Sequence, residues 1–168
     1  MKSLIYLFLP ALIACSAKKE HNLDINVLNA SSFNFFKVAS GNTIPLSASE
    51  GNIIYAFGEP GRINEGIAEL NKFPCRKWIY NGAVIYLQAG RMVDIDLTSA
   101  AYGFVLNGKV IKVGENISTL KSSFPESFSS RENHRIFVGL HYNGEPIKSR
   151  ISFDFNNQDQ ITTISLMN

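Results

Sequence analysis

The sequence predicts an α+β fold: two tandem helix-plus-antiparallel-meander repeats forming a sheet with helices packed on one face. Three observations predict it. Ile44, Ile53 and Phe57 recur as Ile111, Leu120 and Phe124, each at an offset of 67 residues. Met92-Val93-Asp94-Ile95-Asp96-Leu97 is echoed by Ile161-Thr162-Thr163-Ile164-Ser165-Leu166 at an offset of 69. Matched blocks in one order at nearly one spacing mark an internal repeat. In each copy, moreover, a helical apolar period gives way to strand-like alternation broken by Asn-Gly turns.

Residues 1–14 read as a lipoprotein signal peptide. Lys2 precedes an apolar run, Leu4 to Ala11, and small residues follow it, which is the order of a secretory signal. The run is too short to span ~30 Å of hydrocarbon, which takes ~20 apolar residues. Leu12-Ile13-Ala14-Cys15 resembles the lipobox of bacterial lipoproteins. That resemblance implies that Cys15 becomes the first mature residue and carries the lipid, palmitate among its acyl chains. Residues 15–31 are then a lipidated cysteine and a tether, polar at first (Ser16-Ala17-Lys18-Lys19-Glu20-His21), with alternation beginning at Leu23, Ile25 and Val27.

Repeat 1 is expected over residues 32–106. Phe33 to Val38 reads as a strand. Ser47-Ala48-Ser49-Glu50 has the spacing of a capping box, with Ser47 as cap, and Ile53, Ile54 and Phe57 form the stripe of the helix that follows. Gly58 and Pro60 stop it. Ile63, Ile67 and Leu70 fall on one side of a second expected helix, weakened by Gly66. Lys77–Tyr80 and Ala83–Gln88 flank Asn81-Gly82, the strongest short hairpin signal. Ala89-Gly90-Arg91 turns the chain into Met92–Leu97.

A hairpin, Tyr102–Leu106 and Lys109–Val113 about Asn107-Gly108, links the copies. Repeat 2 is expected over residues 107–168. Ile117, Leu120 and Phe124 form a second helical stripe ended by Pro125. Arg135–Tyr142 and Lys148–Phe155 flank Asn143-Gly144-Glu145-Pro146, and Asn156 to Asp159 turns into a last strand, Gln160–Leu166.

Gly58, Pro60, Trp78, Tyr80, Gly90 and Ile95 stand in an order similar to the "G-x-P … W-x-Y … G-x-V-x-x-I" pattern of the SmpA/OmlA (BamE-like) outer-membrane lipoproteins. Met92 stands in the Val place, Ser47 where the second copy has Gly114, and the second copy lacks the Trp. Two such units in tandem resemble the β-lactamase-inhibitor-protein-like fold. The resemblance implies a fold, and a concave sheet face used for partners.

Composition excludes more than it names. The formal net charge is +2, with 16 Lys and Arg against 14 Asp and Glu and no basic run, so no global field favours nucleic acid. No G-x-S-x-G, H-E-x-x-H, P-loop or dinucleotide fingerprint occurs, and no cofactor is expected. His134 and His141 are seven apart and point to opposite faces of one strand, so a shared metal is not expected. If Cys15 carries lipid, Cys75 has no disulfide partner and reads as a small buried hydrophobe, with a reactive thiol beside Arg76 as the sharper alternative.

Alternation sorts the sheet faces. Ile136, Val138, Leu140 and Tyr142 are expected inward with Ile151, Phe153 and Phe155. Arg135, Phe137, His141, Lys148 and Arg150 are left on the open face, with Trp78, Tyr80 or Tyr86 nearby. Trp, Tyr and Arg dominate binding hot spots, so these residues are the candidate partner surface. Asp94 and Asp96 share a face, with Val93, Ile95 and Leu97 toward the core. Paired carboxylates are usually the wet side of a strand, but they are also the residue type acid–base chemistry needs. The expected function is a non-enzymatic, lipid-anchored envelope binding module that acts by protein–protein contact with another envelope or exported protein. It would act as an assembly accessory subunit, or as an inhibitor or immunity protein. Ser16 after the cysteine favours an outer membrane location facing the periplasm, as in the Gram-negative lipoproteins it resembles. The alternatives are an envelope hydrolase using Asp94 and Asp96, or a small-ligand carrier with an apolar pocket.

Overall fold

Two-residue turns set the registers of the fold. The computed structural model describes residues 25–67 and 73–167. The signal peptide, Cys15, Ser16 and the first part of the tether lie outside the described residues. The elements run β1 (Val27–Asn29), β2 (Phe33–Lys37), β3 (Thr43–Ile44), α1 (Glu50–Phe57), β4 (Arg62–Ile67), β5 (Pro74–Tyr80), β6 (Ala83–Gln88) and β7 (Arg91–Leu97). Then follow β8 (Tyr102–Leu106), β9 (Lys109–Lys112), α2 (Ser118–Lys121), α3 (Pro125–Ser129), β10 (Arg135–Tyr142), β11 (Glu145–Phe155) and β12 (Ile161–Met167).

At Asn107-Gly108 and Asn143-Gly144 both residues have positive φ, the geometry that matches the twist of a two-residue hairpin. At Asn81-Gly82 only the glycine does, with φ 84°. A Cβ on Gly82 would lie 2.2 Å from Cβ of Ser99, so close approach as well as φ demands glycine there.

The strands form two sheets. One has eight strands in the order β1-β10-β11-β12-β7-β6-β5-β4; the other has four, β3-β2-β8-β9. The β5–β7 and β10–β12 meanders meet at an antiparallel β7–β12 pair, and the β2–β3 and β8–β9 hairpins meet at β2–β8. The boundary expected between residues 106 and 107 falls in the turn of the β8–β9 hairpin. The end of the expected tether supplies β1, which pairs in parallel with β10.

This is a mostly-β, two-sheet fold, and it overturns the expected α+β arrangement of a sheet covered by helices. The helices are 8, 4 and 5 residues long. Eight residues make a rod ~12 Å long, whereas eight strands ~4.8 Å apart span more than 30 Å. The small sheet takes up the burial instead. Phe33, Phe35, Phe104 and Ile111 are fully buried from its side, and Ile136, Val138, Ile151, Phe153, Ile164, Leu166, Ile95 and Ile85 from the other. Phe104 and Phe153 join the sheets edge to face, centroids 5.8 Å apart. The helices fill the margins: Phe57 of α1 packs on Tyr80 and Tyr102, and Phe124, just before α3, packs on Phe153. A lysine from the small sheet takes up free carbonyls at two helix C-termini. Lys37 donates to the Phe57 carbonyl at 2.7 Å, and Lys109 to that of Thr119 at 2.6 Å.

Three local expectations change. The second helix is absent: Ile63 and Ile67 belong to β4, a fully exposed edge strand paired with β5, and Leu70 lies outside the described residues. The cap of α1 is Ser49, whose hydroxyl accepts from the Asn52 N–H at 3.4 Å, not Ser47; Glu50 pairs with Arg76 instead of closing a capping box. Pro125 begins α3 rather than ending the previous helix, since proline's fixed φ suits a first helical position.

Candidate functional site

One face of the eight-stranded sheet packs on the core. Among the described residues no other sheet or helix packs across the opposite face. Its centre is β7, where a β-bulge decides which side chains appear. Tyr86 pairs with Asp94 but Leu87 pairs with Met92, which leaves Val93 as the extra residue. Met92 therefore takes the inward place expected for Val93 and is 1% exposed. Asp94 and Asp96 both emerge on the open face.

They sit in a groove of about 490 Å³. Its floor and walls come from Lys77 of β5, Val84 and Tyr86 of β6, Ser165 and Met167 of β12, Ser152 and Asp154 of β11, and Arg135 of β10. Val84, Asp96, Ser165, Ser152 and Phe137 follow one another strand by strand in register. The Ser165 hydroxyl donates to Asp96 Oδ1 at 2.6 Å. Asp94 Oδ1 is buried and has no hydrogen-bond donor among the described residues. Burial pushes the Asp94 carboxyl up to about 7. The neighbouring Asp96 adds to that shift, and the Ile95 backbone N–H opposes it.

The cations around the groove are already engaged. Lys77 lies over the Tyr86 ring, 5.3 Å from its centroid. Arg135 makes a two-pronged ion pair with Asp154, one arm at 2.8 Å, and that hydrogen-bonded pairing holds its guanidinium pKa above the usual value. Arg150 stacks on the Phe137 ring at 4.3 Å, with Arg135 also near that ring at 5.7 Å.

The residues expected on the partner surface divide. Arg135, Phe137 and Arg150 come together as one cation–aromatic cluster beside the groove. Lys148 is exposed where β11 bulges away from β10. His141 is half-buried opposite Asn29 of β1, at the sheet margin, and its Nδ1 is buried without a partner among the described residues. Trp78 and Tyr80 are not on this face. They pair with Ile85 and Ala83, whose side chains point inward, so both are in the core at 2% and 8% exposure. The Tyr80 hydroxyl donates to the Gly58 carbonyl at 3.1 Å, and burial raises its pKa well above the usual value. Tyr86, on the other side of the pleat, is the aromatic residue that this region does present. Tyr142, expected inward, is 58% exposed at the turn.

Two further depressions exist. An apolar groove of about 590 Å³ runs between Ala30, Pro45, Leu46, Met92, Tyr142 and Ile147. A smaller one, about 310 Å³, includes Cys75, which is free and half-buried; the cation next to it, Arg76, is paired with Glu50. Among the described residues no group of three or more His, Cys, Asp or Glu is placed to hold a metal, and no helix is long and apolar enough to cross a membrane.

No family model and no curated protein matches the chain. It is similar to the solved structure of an extracellular protein containing a SCP domain from Bacillus anthracis str. Ames, at 12% identity and a TM-score of 0.41. The match covers 73% of this chain and 44% of that one. The chain thus spans less than half the length of that protein, and a likeness this low carries no argument about fold or activity.

Proposed function

We propose that the protein is a lipid-anchored cell-envelope binding module that works by protein–protein contact through the open face of its large sheet. It serves there as an accessory subunit of an assembly, or as an inhibitor or immunity protein that masks an enzyme or toxin. The observation that carries this reading is the Arg135–Phe137–Arg150 cluster: an aromatic ring contacted by two guanidinium groups beside a charged groove, on a sheet face that no described sheet or helix packs across. Arginine and aromatic side chains pre-set by stacking lose little freedom on binding and supply most hot-spot energy. Cys15 supplies the anchor in this reading, with the outer membrane as its place.

A photo-crosslinking amino acid at position 137, in the full chain expressed in its own cell, tests it. One crosslinked species of fixed mass is expected, and Arg150→Glu should abolish it while the protein stays folded. No crosslink from positions 137, 150 or 86 sinks the reading. The immunity form adds that deleting the gene kills cells only when the toxin gene is present.

A second reading, an envelope hydrolase, has one specific observation in its favour. Asp94 retains a proton to about pH 7 beside Asp96, in a groove. A carboxyl that holds its proton near neutrality is suited to act as a general acid. Activity on envelope glycans or esters that disappears in both Asp94→Asn and Asp96→Asn supports it; activity unchanged in those variants removes it.

A further inference from the structure

Four strands end the two sheets, and three of them are guarded against further pairing. β1 is three residues long and is tied to α3 through Asn26, whose carboxamide oxygen accepts from the Glu126 and Ser127 N–H groups. β3 has two residues, and β9 has four, with a lysine at each end. Short length, lysine and cover are the usual means by which a sheet edge avoids a foreign strand. β4 has none of them. It is six residues long, exposed at every position and free of proline and lysine. It pairs with β5 in unbroken register, from Arg62 opposite Ile79 to Ile67 opposite Pro74. Among the described residues no strand pairs with its outer edge. We propose that β4 receives an extended segment of a partner protein as a ninth strand, and that this segment carries a lysine or arginine with an apolar residue two positions to either side.

The side chains of β4 set that pattern. Ile63, Glu65 and Ile67 stand opposite Trp78, Arg76 and Pro74, so they share the face that continues the core side of the sheet. Both isoleucines are exposed, as is Phe73 at the hairpin end. Neighbours on one face of adjacent strands pack together, so apolar residues on an added strand cover the isoleucines. Glu65 is the one charge in that row. Arg76, opposite it on β5, is paired with Glu50, and Glu65 makes no ion pair among the described residues. A cation is therefore the favourable residue opposite Glu65 on the added strand. A second copy of the chain is the wrong occupant. Two β4 strands joined antiparallel about a two-fold axis set residues of the same face against each other. The register that brings each Ile63 to Ile67 brings Glu65 to Glu65, and like charges directly opposite are destabilising. The glutamate thus rejects self-pairing and selects a basic strand. Main-chain hydrogen bonds supply the attachment and alternate side chains the selectivity. This contact runs along the sheet edge and is separate from the open face.

The probe is a blocked synthetic peptide, Thr-Ile-Thr-Lys-Thr-Ile-Thr, added to the intact chain labelled with nitrogen-15. The control peptide has glutamate in place of the lysine. Amide shifts and hydrogen exchange report where each one binds. Saturable binding is expected, with shifts and new amide protection centred on Arg62–Ile67, and the glutamate peptide should bind about fivefold more weakly or worse. Glu65→Lys should reverse that preference; the comparison on the unmodified chain stands whether or not this variant folds. Equal binding of both peptides overturns the proposal, as do shifts centred away from β4 or no saturable binding at millimolar peptide. Sedimentation of the protein alone addresses the other occupant. A dimer whose concentration-dependent amide protection falls on β4 assigns the edge to a second copy and also overturns the proposal. Peptide binding at β4 without any crosslink from the open face removes the open-face reading and leaves the edge site. A crosslink at position 137 without peptide binding does the reverse.

Discussion

Asp94 gives the protein its clearest pH dependence. Its carboxyl titrates near 7 in the fold, against an ordinary value of 3.8. A raised folded pKa means that the folded state binds the proton more tightly than the unfolded chain. The contribution of Asp94 to stability is therefore most favourable below about pH 4, falls as the pH rises toward 7, and levels off above it. The carboxyl is partly exposed to the groove, and solvent screening brings the loss down to about 1–2 kcal/mol. Asp94→Asn should flatten that slope and be the more stable protein at pH 8.5, measured by urea unfolding at pH 5, 7 and 8.5. Parallel curves for the two proteins would contradict the burial argument. Which residues share the groove with Asp94 was only half legible. The i, i+2 spacing of Asp94 and Asp96 places both on one face, and alternation alone exposes Arg135, Phe137 and Arg150. The inward turn of Trp78 and Tyr80 depends on the register of β5 against β6, which no residue of β5 states by itself.

The two-residue turns were legible because their deciding contacts are local, but the capping-box spacing points to Ser47 although Ser49 makes the cap of α1. Of the two serines before α1, Ser49 carries the cap, so Ser49→Ala should cost about 1 kcal/mol and Ser47→Ala much less, by chemical denaturation. Equal losses would return the cap to Ser47. Gly82 and Gly108 have nearly the same φ, 84° and 79°, but only Gly82 is crowded, by Ser99. Gly108→Ala should therefore cost about 1 kcal/mol from backbone strain, and Gly82→Ala about 2–4 kcal/mol, with the β5–β6 turn displaced. Similar melting temperatures for both variants would mean that Ser99 yields freely. β4 was missed for a clear reason. Ile63, Ile67 and Leu70 are spaced as a helix face would be, and the strand exists because it pairs with β5, not because its own pattern alternates.

The two sheets share one hydrophobic core, and aromatic rings join them within it. Phe153 touches Phe104 of the small sheet and Phe124 beside the short helices. Phe153→Ala should cost about 3–5 kcal/mol and loosen both attachments, seen as a joint loss of amide protection in β8 and β11 by hydrogen exchange. Loss confined to β11 would mean that the sheets are not coupled there. By itself the sequence determined the strands from β5 to β12, their two-residue turns and most inward residues, because alternation and Asn-Gly geometry act over a few neighbours. Only the tertiary structure decided that the hairpins β2–β3 and β8–β9 leave the large sheet, pair with each other and become the cover that helices were expected to supply. That choice rests on contacts between segments some seventy residues apart, as Phe35 with Phe104, and on helices too short to hide eight strands. The open groove follows from it, since a small sheet and short helices confined to one side leave Asp94 facing outward on the other.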